Sequence, residues 1–263
     1  MADKFLEISE GIFIVDLALH IPKEKVLIIS DVHIGYEEAL NKQGILVPRM
    51  QFDLLLKRLE NIFRLIGVSK KNKLAQFIIN GDVKHEFGTI SEQEWRQTLM
   101  FIDFISQYSD EIVLIKGNHD TTLGPLADKR NLSVVDEAVI DDVLVLHGDD
   151  IPDHIDKTMK KTKTIIIGHE HPAIAFPQNP LERYKCFLKG LWKRQRSRNA
   201  LIVMPSFFLF NEGTDVLKES LLSPFLKRNE IRSFEAYVVD TTKHEDNVLF
   251  FGKLDGIPRI IRR

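Results

Sequence analysis

Short apolar runs alternate with helical patterns along this chain, and that alternation is typical of α/β proteins. The run Lys25–Ser30 is almost entirely apolar, which predicts a strand that is buried on both faces. Over Phe52–Ile66 the apolar residues recur every three or four positions, as they do on one face of a helix. Ser91 and Glu94 form a capping box and predict the start of a second helix, with the apolar face Trp95, Leu99, Ile102 and Ile105.

Strand patterns are more frequent in the second half of the chain. The other predicted strands are Gly11–Asp16, Phe77–Asn80, Glu111–Lys116, Leu132–Val135, Ala138–Ile140, Val143–Leu146, Thr164–Ile167, Leu201–Met204, Phe234–Val239 and Val248–Phe251. Asp141 and Asp142 between two of these runs favour a hairpin turn. We therefore predict a single domain over residues 1–263 with an α/β fold, in which two sheets pack face to face with helices outside.

Composition narrows the class of protein. Apolar residues make up 44% of the chain, enough for a substantial core, and a net charge of −2 gives no global attraction to nucleic acid or membrane. The single Cys186 excludes an internal disulfide framework and a cysteine-built metal site. The longest apolar stretch, Leu201–Phe210, is far short of the ~20 residues that cross a bilayer. We expect a soluble, cytoplasmic protein without a membrane partner.

Five predicted strands run directly into short polar clusters. These clusters are Asp31-Val32-His33, Gly81-Asp82-Val83-Lys84-His85, Gly117-Asn118-His119-Asp120, His147-Gly148-Asp149 and Gly168-His169-Glu170-His171. They contain six of the nine histidines of the chain. Because ligand crevices in α/β sheets lie beyond the carboxyl ends of the strands, we expect these side chains to share one site.

The donor types in these clusters indicate a metal site. Carboxylate oxygen, amide oxygen and imidazole nitrogen together suit Mn²⁺, Zn²⁺, Fe or Ni²⁺, and Mn²⁺ is our first choice. Two ions ~3.5–4 Å apart can hold both the attacking and the leaving oxygen of a phosphoryl displacement. Two ions that are this close need a bridging carboxylate, and Asp82 is the candidate. The neighbouring glycines let the backbone turn sharply where each strand ends.

The motifs DxH, GDxxH, GNHD, a lone HG and GHxH stand in this order from Asp31 to His171. This series resembles the calcineurin-like metallophosphoesterases, whose fold is a four-layer arrangement of two sheets flanked by helices. Each motif alone is weak, whereas five in order, each after a strand, are highly specific. The resemblance is strong over Val26–Pro172 and weaker in the strand-rich remainder.

The resemblance implies a role for each residue of the motifs. One metal would be held by Asp31, His33, Asp82 and His171, and the other by Asp82, Asn118, His147 and His169. His119 would contact the scissile phosphate and protonate the leaving oxygen, or stabilise its charge. For His119 the alternative is a residue that only supports the ligands.

His85 departs from many relatives, which carry Asp at this position, whereas a DNA-repair nuclease branch resembling SbcD carries His. The strings DVHIGYE, GDVKHEFG and GHEHP look similar to ligase-associated phosphoesterases of the PdeM type. The resemblance therefore favours a phosphodiester substrate. Direct contact of His85 with phosphate, and a role in orienting His119 or a ligand, both stay open.

The segment Arg183–Arg198 is basic and contains no acidic residue. Its cations are Arg183, Lys185, Lys189, Lys193, Arg194, Arg196 and Arg198, with Tyr184, Phe187 and Trp192 between them. One interpretation is a nucleic-acid contact through Lys193, Arg194, Arg196 and Arg198, because phosphates attract cations and bases stack on aromatic rings. The other is a solvated hairpin that pairs Lys185–Leu188 with Leu201–Met204.

These observations predict a two-metal phosphodiesterase that hydrolyses nucleic-acid ends or small nucleotides, in a DNA-repair or RNA-processing setting. A phosphomonoesterase acting on a protein or a nucleotide is the alternative within enzymes. A non-catalytic scaffold of the same fold, as in the retromer subunit of this superfamily, is the alternative from another class. Scaffold members tend to lose ligands or the GNHD histidine, and here all of them are present.

Overall fold

The computed structural model of the protein describes residues 5–48, 50–86, 91–120, 130, 132–176, 178–210, 212–243 and 245–257. Within these ranges the chain folds into two mixed β-sheets that are flanked by few helices. This is the α/β two-sheet architecture that the sequence predicts.

The first sheet gathers the strands of the first half of the chain. Its strands are β1 (Leu6–Ser9), β2 (Ile12–Val15), β3 (Ala18–Ile21), β4 (Val26–Ser30), β5 (Leu74–Asn80), β6 (Ser109–Ile115) and β7 (Ser133–Val135), hydrogen-bonded in that order. Strands β4 to β7 are parallel, and Ser30, Asn80 and Ile115 lie opposite one another in the register. The carboxyl ends of β4, β5 and β6 therefore reach the same edge of the sheet.

The second sheet contains the remaining strands. They are β8 (Glu137–Ile140), β9 (Val143–Leu146), β10 (Thr164–Ile167), β11 (Pro172–Phe176), β12 (Asn179–Arg194), β13 (Ser197–Val203), β14 (Thr214–Asp215), β15 (Glu235–Val239) and β16 (Val248–Lys253). Strand β10 is parallel to β9 on one side and to β13 on the other. The ends of β9 and β10 that carry the predicted histidines thus also point to one edge.

Helices cover the first sheet on its outer side. They are α2 (Gln51–Leu65) and α3 (Glu92–Ile105), and the short α1 (Tyr36–Lys42) precedes them in the chain. A further short helix, α4 (Ile155–Met159), and two 3-10 turns (Ile231–Ser233 and Leu254–Gly256) lie against the second sheet. The predicted capping box is confirmed, because Ser91 Oγ accepts from the Glu94 backbone N–H at 3.1 Å and the Glu94 carboxylate accepts from the Ser91 N–H. None of the described helices is both long and apolar enough to cross a membrane.

The two sheets pack face to face through one apolar core. Ile28 and Ile78 of the first sheet share this core with Ile166 and Ile202 of the second, and the buried faces of α2 and α3 join it from outside. A second core covers the other face of the second sheet and includes Cys186, which is fully buried.

The pairing of β12 differs from the hairpin that the sequence suggests. The structure places Leu188 opposite Val203 and Lys189 opposite Ile202, so the predicted pairing of Lys185–Leu188 with Leu201–Met204 is wrong in register. The reason is the length of β12, which has 16 residues and pairs with three strands in turn. Lys185 pairs with β11 instead.

Candidate metal centre

The five polar clusters meet at the seam between the two sheets. There the chain after β13 crosses to the first sheet, where the Phe207 N–H donates to the Ser30 carbonyl at 2.7 Å and the Phe208 N–H to the Asp31 carbonyl at 3.2 Å. The His169 N–H donates in turn to the Asp31 carboxylate at 3.2 Å. The strand ends of both sheets are thereby fixed against each other by backbone hydrogen bonds.

A first group of donors surrounds Asp31. His171 Nε2 lies 3.1 Å from Asp31 Oδ1, and His33 Nε2 lies 3.4 Å from His171 Nε2. The donor atoms of these three side chains all lie within 4.8 Å of one another, which is close enough for them to hold one metal ion together. Asp31 is fully buried, and Ser30 Oγ lies 2.5 Å from its Oδ2 and fixes the carboxylate.

A second group surrounds His147. Its Nε2 lies 3.1 Å from Asn118 Oδ1 and 3.7 Å from Asp82 Oδ2. The ring of His169 is 5.0 Å from the ring of His147, centroid to centroid. Asp31, Asp82 and His147 also place their donor atoms within 4.8 Å of one another, so the two groups adjoin.

Asp82 lies between the two groups. Its Oδ2 is 3.9 Å from His33 Nε2 on one side and 3.7 Å from His147 Nε2 on the other. Its second oxygen, Oδ1, accepts from the backbone N–H of His119 at 2.9 Å and fixes the carboxylate in place. This is the position that a bridging carboxylate needs. The assignment of Asp82 as the bridge stays a prediction.

The backbone at the candidate ligands is strained. Five of the seven have a left-handed conformation with φ between +46° and +61°: Asp31, His33, Asp82, His169 and His171. For residues with a side chain this conformation costs about 1–2 kcal/mol each, and such strain clusters at functional sites. At two neighbouring glycines there is no room for a side chain. A Cβ on Gly81 would lie 1.9 Å from His147 Nδ1, and one on Gly168 would lie 2.0 Å from Ser30 Oγ.

Burial is the main cause of the pKa shifts at the site. Burial, followed by the negative charges of Asp31 and Asp120, raises the pKa of Asp82 well above its ordinary value. Burial lowers the pKa of His33 far below its ordinary value and that of His169 to about 4, so these imidazoles are neutral, as metal ligands must be. Within the described part of the chain, the buried Nδ1 atoms of His33 and His147 have no hydrogen-bond partner.

The structure places both predicted catalytic histidines beside these donors. His119 Nδ1 lies 2.6 Å from the His85 carbonyl oxygen, and His119 Nε2 lies 3.8 Å from Asp82 Oδ2. The His85 ring is 5.7 Å from the His119 ring and 5.5 Å from the His33 ring. His85 thus contacts His119 through its carbonyl, while its own ring flanks the site. The roles of both residues stay predictions.

An aromatic wall forms one side of the site. We use this name for Tyr36, Phe208 and Phe210. The Tyr36 ring is 4.7 Å from the His85 ring and 4.8 Å from the Phe208 ring, which in turn lies 5.9 Å from His33 and 6.2 Å from Phe210. Phe210 at the end of the wall is about half exposed, at 48%.

The structure does not bring the tip of the basic segment to this site. This tip is the turn between Arg194 and Ser197. From there the seven residues of β13 run toward the site, so that the first and last of them are roughly 20 Å apart at ~3.3 Å per residue step. Lys193, Arg196 and Arg198 are exposed there, whereas Arg194 donates to Asp156 at 3.0 Å. The four predicted nucleic-acid contacts therefore lie at the opposite edge of the second sheet.

Three buried charged residues near the site were not identified as functional from the sequence. Lys84 bonds the carbonyls of Glu86 and His119, Glu94 bonds the N–H groups of His85 and Glu86, and Glu170 accepts from the N–H groups of two residues at 222 and 223. The sequence feature that could have identified Lys84 and Glu170 is their position inside two of the polar motifs. Glu94 was identified only as a helix cap.

A seam of two mixed sheets that gathers nitrogen and oxygen donors in two adjoining groups is a metallohydrolase arrangement. The sequence model of calcineurin-like phosphoesterases matches residues 24–233, and the chain belongs to this family. The protein is accordingly a hydrolase of phosphoester bonds, in a family that binds two divalent metal ions.

Two solved structures are similar to this chain over most of its length, and the first of them shares its fold. The nuclease MPE of Pseudomonas putida is 21% identical with a TM-score of 0.56, and the alignment covers 86% of this chain and 91% of that one. Vps29 of Chaetomium thermophilum is 13% identical with a TM-score of 0.39, and the alignment covers 87% of this chain and 98% of that one. A search of curated protein sequences gives no match.

Proposed function

We propose that the protein is a two-metal phosphodiesterase that acts on nucleic-acid ends or small nucleotides. The observation that supports this is the convergence of a complete donor set on one seam: Asp31, His33, Asp82, Asn118, His147, His169 and His171. A scaffold role would not require these strained, buried donors. We further propose Mn²⁺ as the physiological metal, with Zn²⁺, Fe and Ni²⁺ as alternatives, and a cytoplasmic location.

The donors fit a pair of metals in both charge and protonation. We assign Asp31, His33, Asp82 and His171 to one ion, and Asp82, Asn118, His147 and His169 to the other. The buried carboxylate of Asp82, whose pKa is raised, needs a compensating cation, and the neutral imidazoles need an acceptor for their lone pairs. When bound, the ions supply Lewis acidity toward the phosphate oxygens.

His119 is the proton donor in this proposal. Its Nδ1–H donates to the His85 carbonyl, so Nε2 is the nitrogen that faces the centre beside Asp82. When Nε2 is protonated as well, so that the ring is an imidazolium, His119 can deliver the Nε2 proton to the leaving oxygen as the ester bond breaks and return to the neutral Nδ1–H form. The hydrogen bond from the backbone N–H of His119 to Asp82 Oδ1 fixes the backbone of His119 and so the position of its side chain.

The aromatic wall supports a nucleotide substrate. A base next to the scissile phosphate could stack on the half-exposed Phe210, since aromatic rings bind bases of any sequence. The fold shared with the Pseudomonas putida nuclease MPE supports the same choice and a role in nucleic-acid processing such as DNA repair. A phosphomonoesterase is the alternative that the experiment must separate.

The test is a panel of substrates with Mn²⁺-reconstituted protein. It compares a chromogenic diester, a chromogenic monoester, a 2′,3′-cyclic nucleotide and single-stranded DNA, each with and without EDTA. We expect EDTA-sensitive hydrolysis of at least one diester, at a higher kcat/KM than the monoester. Faster hydrolysis of the monoester would replace the proposal with a phosphomonoesterase, and no hydrolysis by metal-loaded protein would contradict it.

A further inference from the structure

Two buried charged side chains outside the donor set meet at the loop of residues 84–86, which follows β5. Lys84 is 1% exposed and Glu94 is 0% exposed. A buried charge is unfavourable unless it is hydrogen-bonded, so the groups that these two side chains bind show what they stabilise. Both of them bind backbone groups of the loops that carry His85 and His119.

Lys84 joins two loops. Its Nζ donates to the carbonyl of Glu86 in its own loop and to the carbonyl of His119 in the loop after β6. Hydrogen bonds from an ammonium group are about twice as strong as those between neutral groups. Lys84 therefore acts as a charged crosslink that holds the backbone of His119 against residues 84–86.

Glu94 fixes the same loop from the other side. Its Oε1 accepts from the backbone N–H groups of His85 at 2.9 Å and Glu86 at 3.1 Å. The carboxylate sits at the start of α3, and the side chain is so close to Gly35 that a Cβ there would lie 2.8 Å from it. Because α3 packs into the core, the loop is tied to a rigid element.

The consequence of both contacts appears at the His85 carbonyl. This oxygen lies 2.6 Å from His119 Nδ1, and the peptide that carries it joins two residues whose N–H groups are both held by Glu94. The orientation of this peptide decides whether Nδ1–H has an acceptor. With the acceptor in place, the ring presents Nε2 to the centre, where it lies 3.8 Å from Asp82 Oδ2.

We propose that Lys84 and Glu94 are positioning residues for His119, which hold the His85 carbonyl and the His119 backbone so that Nε2 faces the leaving oxygen. Neither residue binds metal or substrate. The proposal rests on the proposed role of His119 as proton donor. It predicts an effect on substrates that need a proton at the leaving oxygen and no effect on the metal content.

The first test is spectroscopic and does not depend on activity. Long-range ¹H–¹⁵N spectra of the histidine rings are recorded on Zn²⁺-reconstituted protein, which is diamagnetic, and His119→Ala assigns the His119 signal. We expect the pattern of a hydrogen-bonded Nδ1–H in the wild type and its loss or shift in Lys84→Met. Lys185→Met is the matched control, because Lys185 is also buried but bonds Ser206 Oγ at 2.6 Å. An unchanged His119 signal in Lys84→Met, or an equal change in both variants, overturns the proposal.

The second test is kinetic and uses two diesters that differ in leaving group. Lys84→Met should lower kcat roughly 10–100-fold on the diester with the poor leaving group, as removal of other orienting partners does. On the activated diester the loss should be below about threefold, with KM and metal content unchanged, because this substrate leaves without a proton. Combined with His119→Ala, Lys84→Met should add less than about twofold, since it acts through His119.

Glu94→Gln is the second variant, in case Lys84→Met does not fold. Gln keeps an oxygen that can accept from the N–H groups of His85 and Glu86 but removes the negative charge. We therefore expect a smaller loss of kcat than in Lys84→Met, with the same dependence on the leaving group. Equal losses on both diesters, or loss of metal, contradict a positioning role. If the wild type hydrolyses no diester, the proposed function fails while the spectroscopic result still decides whether Lys84 holds His119.

Discussion

The two ends of the second sheet both carry polar side chains, but these side chains differ in burial, in hydrogen bonding and in the backbone conformation around them. At the seam, His147 is buried, its Nδ1 has no hydrogen-bond partner in the described part of the chain, and its neighbours have left-handed backbones. At the other end, Lys193 and Arg198 lie opposite each other on a regular hairpin and are exposed to solvent. The groups at the hairpin tip are open to solvent, whereas those at the seam are buried among other polar side chains.

This difference explains why a polar cluster alone says little about function. Exposed like charges on neighbouring strands repel each other only weakly, because solvent and salt screen them. Buried carboxylates and neutral imidazoles without full hydrogen bonding are, in contrast, unfavourable, and binding of a cation or a substrate lowers their free energy. The predictions below test this contrast, starting at the seam and ending at the tip.

The largest effect is expected for Asp82→Asn. This change removes the negative charge between the two donor groups, so both metal content and activity should fall. The loss of kcat/KM should exceed the ~10²–10⁴-fold that one general acid contributes. Elemental analysis of the Mn²⁺-reconstituted variant measures the metal. Asp110→Asn, an exposed carboxylate at the start of β6 and so at the end of the strand away from the site, is the matched control and should change neither quantity. Two tightly bound ions in Asp82→Asn would contradict the bridging assignment.

A smaller effect, confined to catalysis, is expected for His119→Ala. The variant should keep the fold and both metals and lose about 10²–10⁴-fold in kcat, with a smaller loss on substrates that have a good leaving group. His154→Ala provides a control, because that histidine is exposed and pairs with Glu137 at 3.0 Å. If His119→Ala loses metal as severely as His169→Ala, then His119 is a ligand and not the proton donor.

The smallest effect is expected at the hairpin tip. Neutralising Lys193, Arg194, Arg196 and Arg198 together should leave hydrolysis of a small diester unchanged and oligonucleotide affinity within about twofold, because the tip lies roughly 20 Å from the centre. Affinity is measured over a range of salt concentrations. A slope of log affinity against log salt that falls by ~0.7 per lost contact on single strands would instead show that the tip binds nucleic acid.

The strands that lead into the site could be predicted because their residues carry the information locally. The predicted runs Lys25–Ser30 and Phe77–Asn80 are mostly apolar and are followed by Asp or Gly-Asp, and no distant contact is needed to recognise them. The structure confirms both, as Val26–Ser30 and Leu74–Asn80. The short strands Ala18–Ile21 and Pro172–Phe176 and helix α1 were missed, because with four, five and seven residues they are too short to show a clear period.

Register and partner choice could not be derived from the sequence. The apolar and basic residues of β12 fit a hairpin in several registers, and only the pairing of its first half with β11 removes Lys185 from that hairpin. The direction of the basic tip depends on β13 being parallel to β10, which no local pattern specifies. Lys84 and Glu94 likewise acquire a role only through contacts between separate loops.

The division of donors between the two sheets has a consequence for selectivity between ions of different radius. Asp31, His33, Asp82 and Asn118 follow strands of the first sheet, whereas His147, His169 and His171 follow strands of the second. The size of the opening between the donor groups therefore depends on how far apart the sheets stand, which the apolar side chains between them determine. Substitutions such as Ile166→Val or Ile202→Val, which touch no donor, are a route to retune the preference between a larger ion and a smaller one.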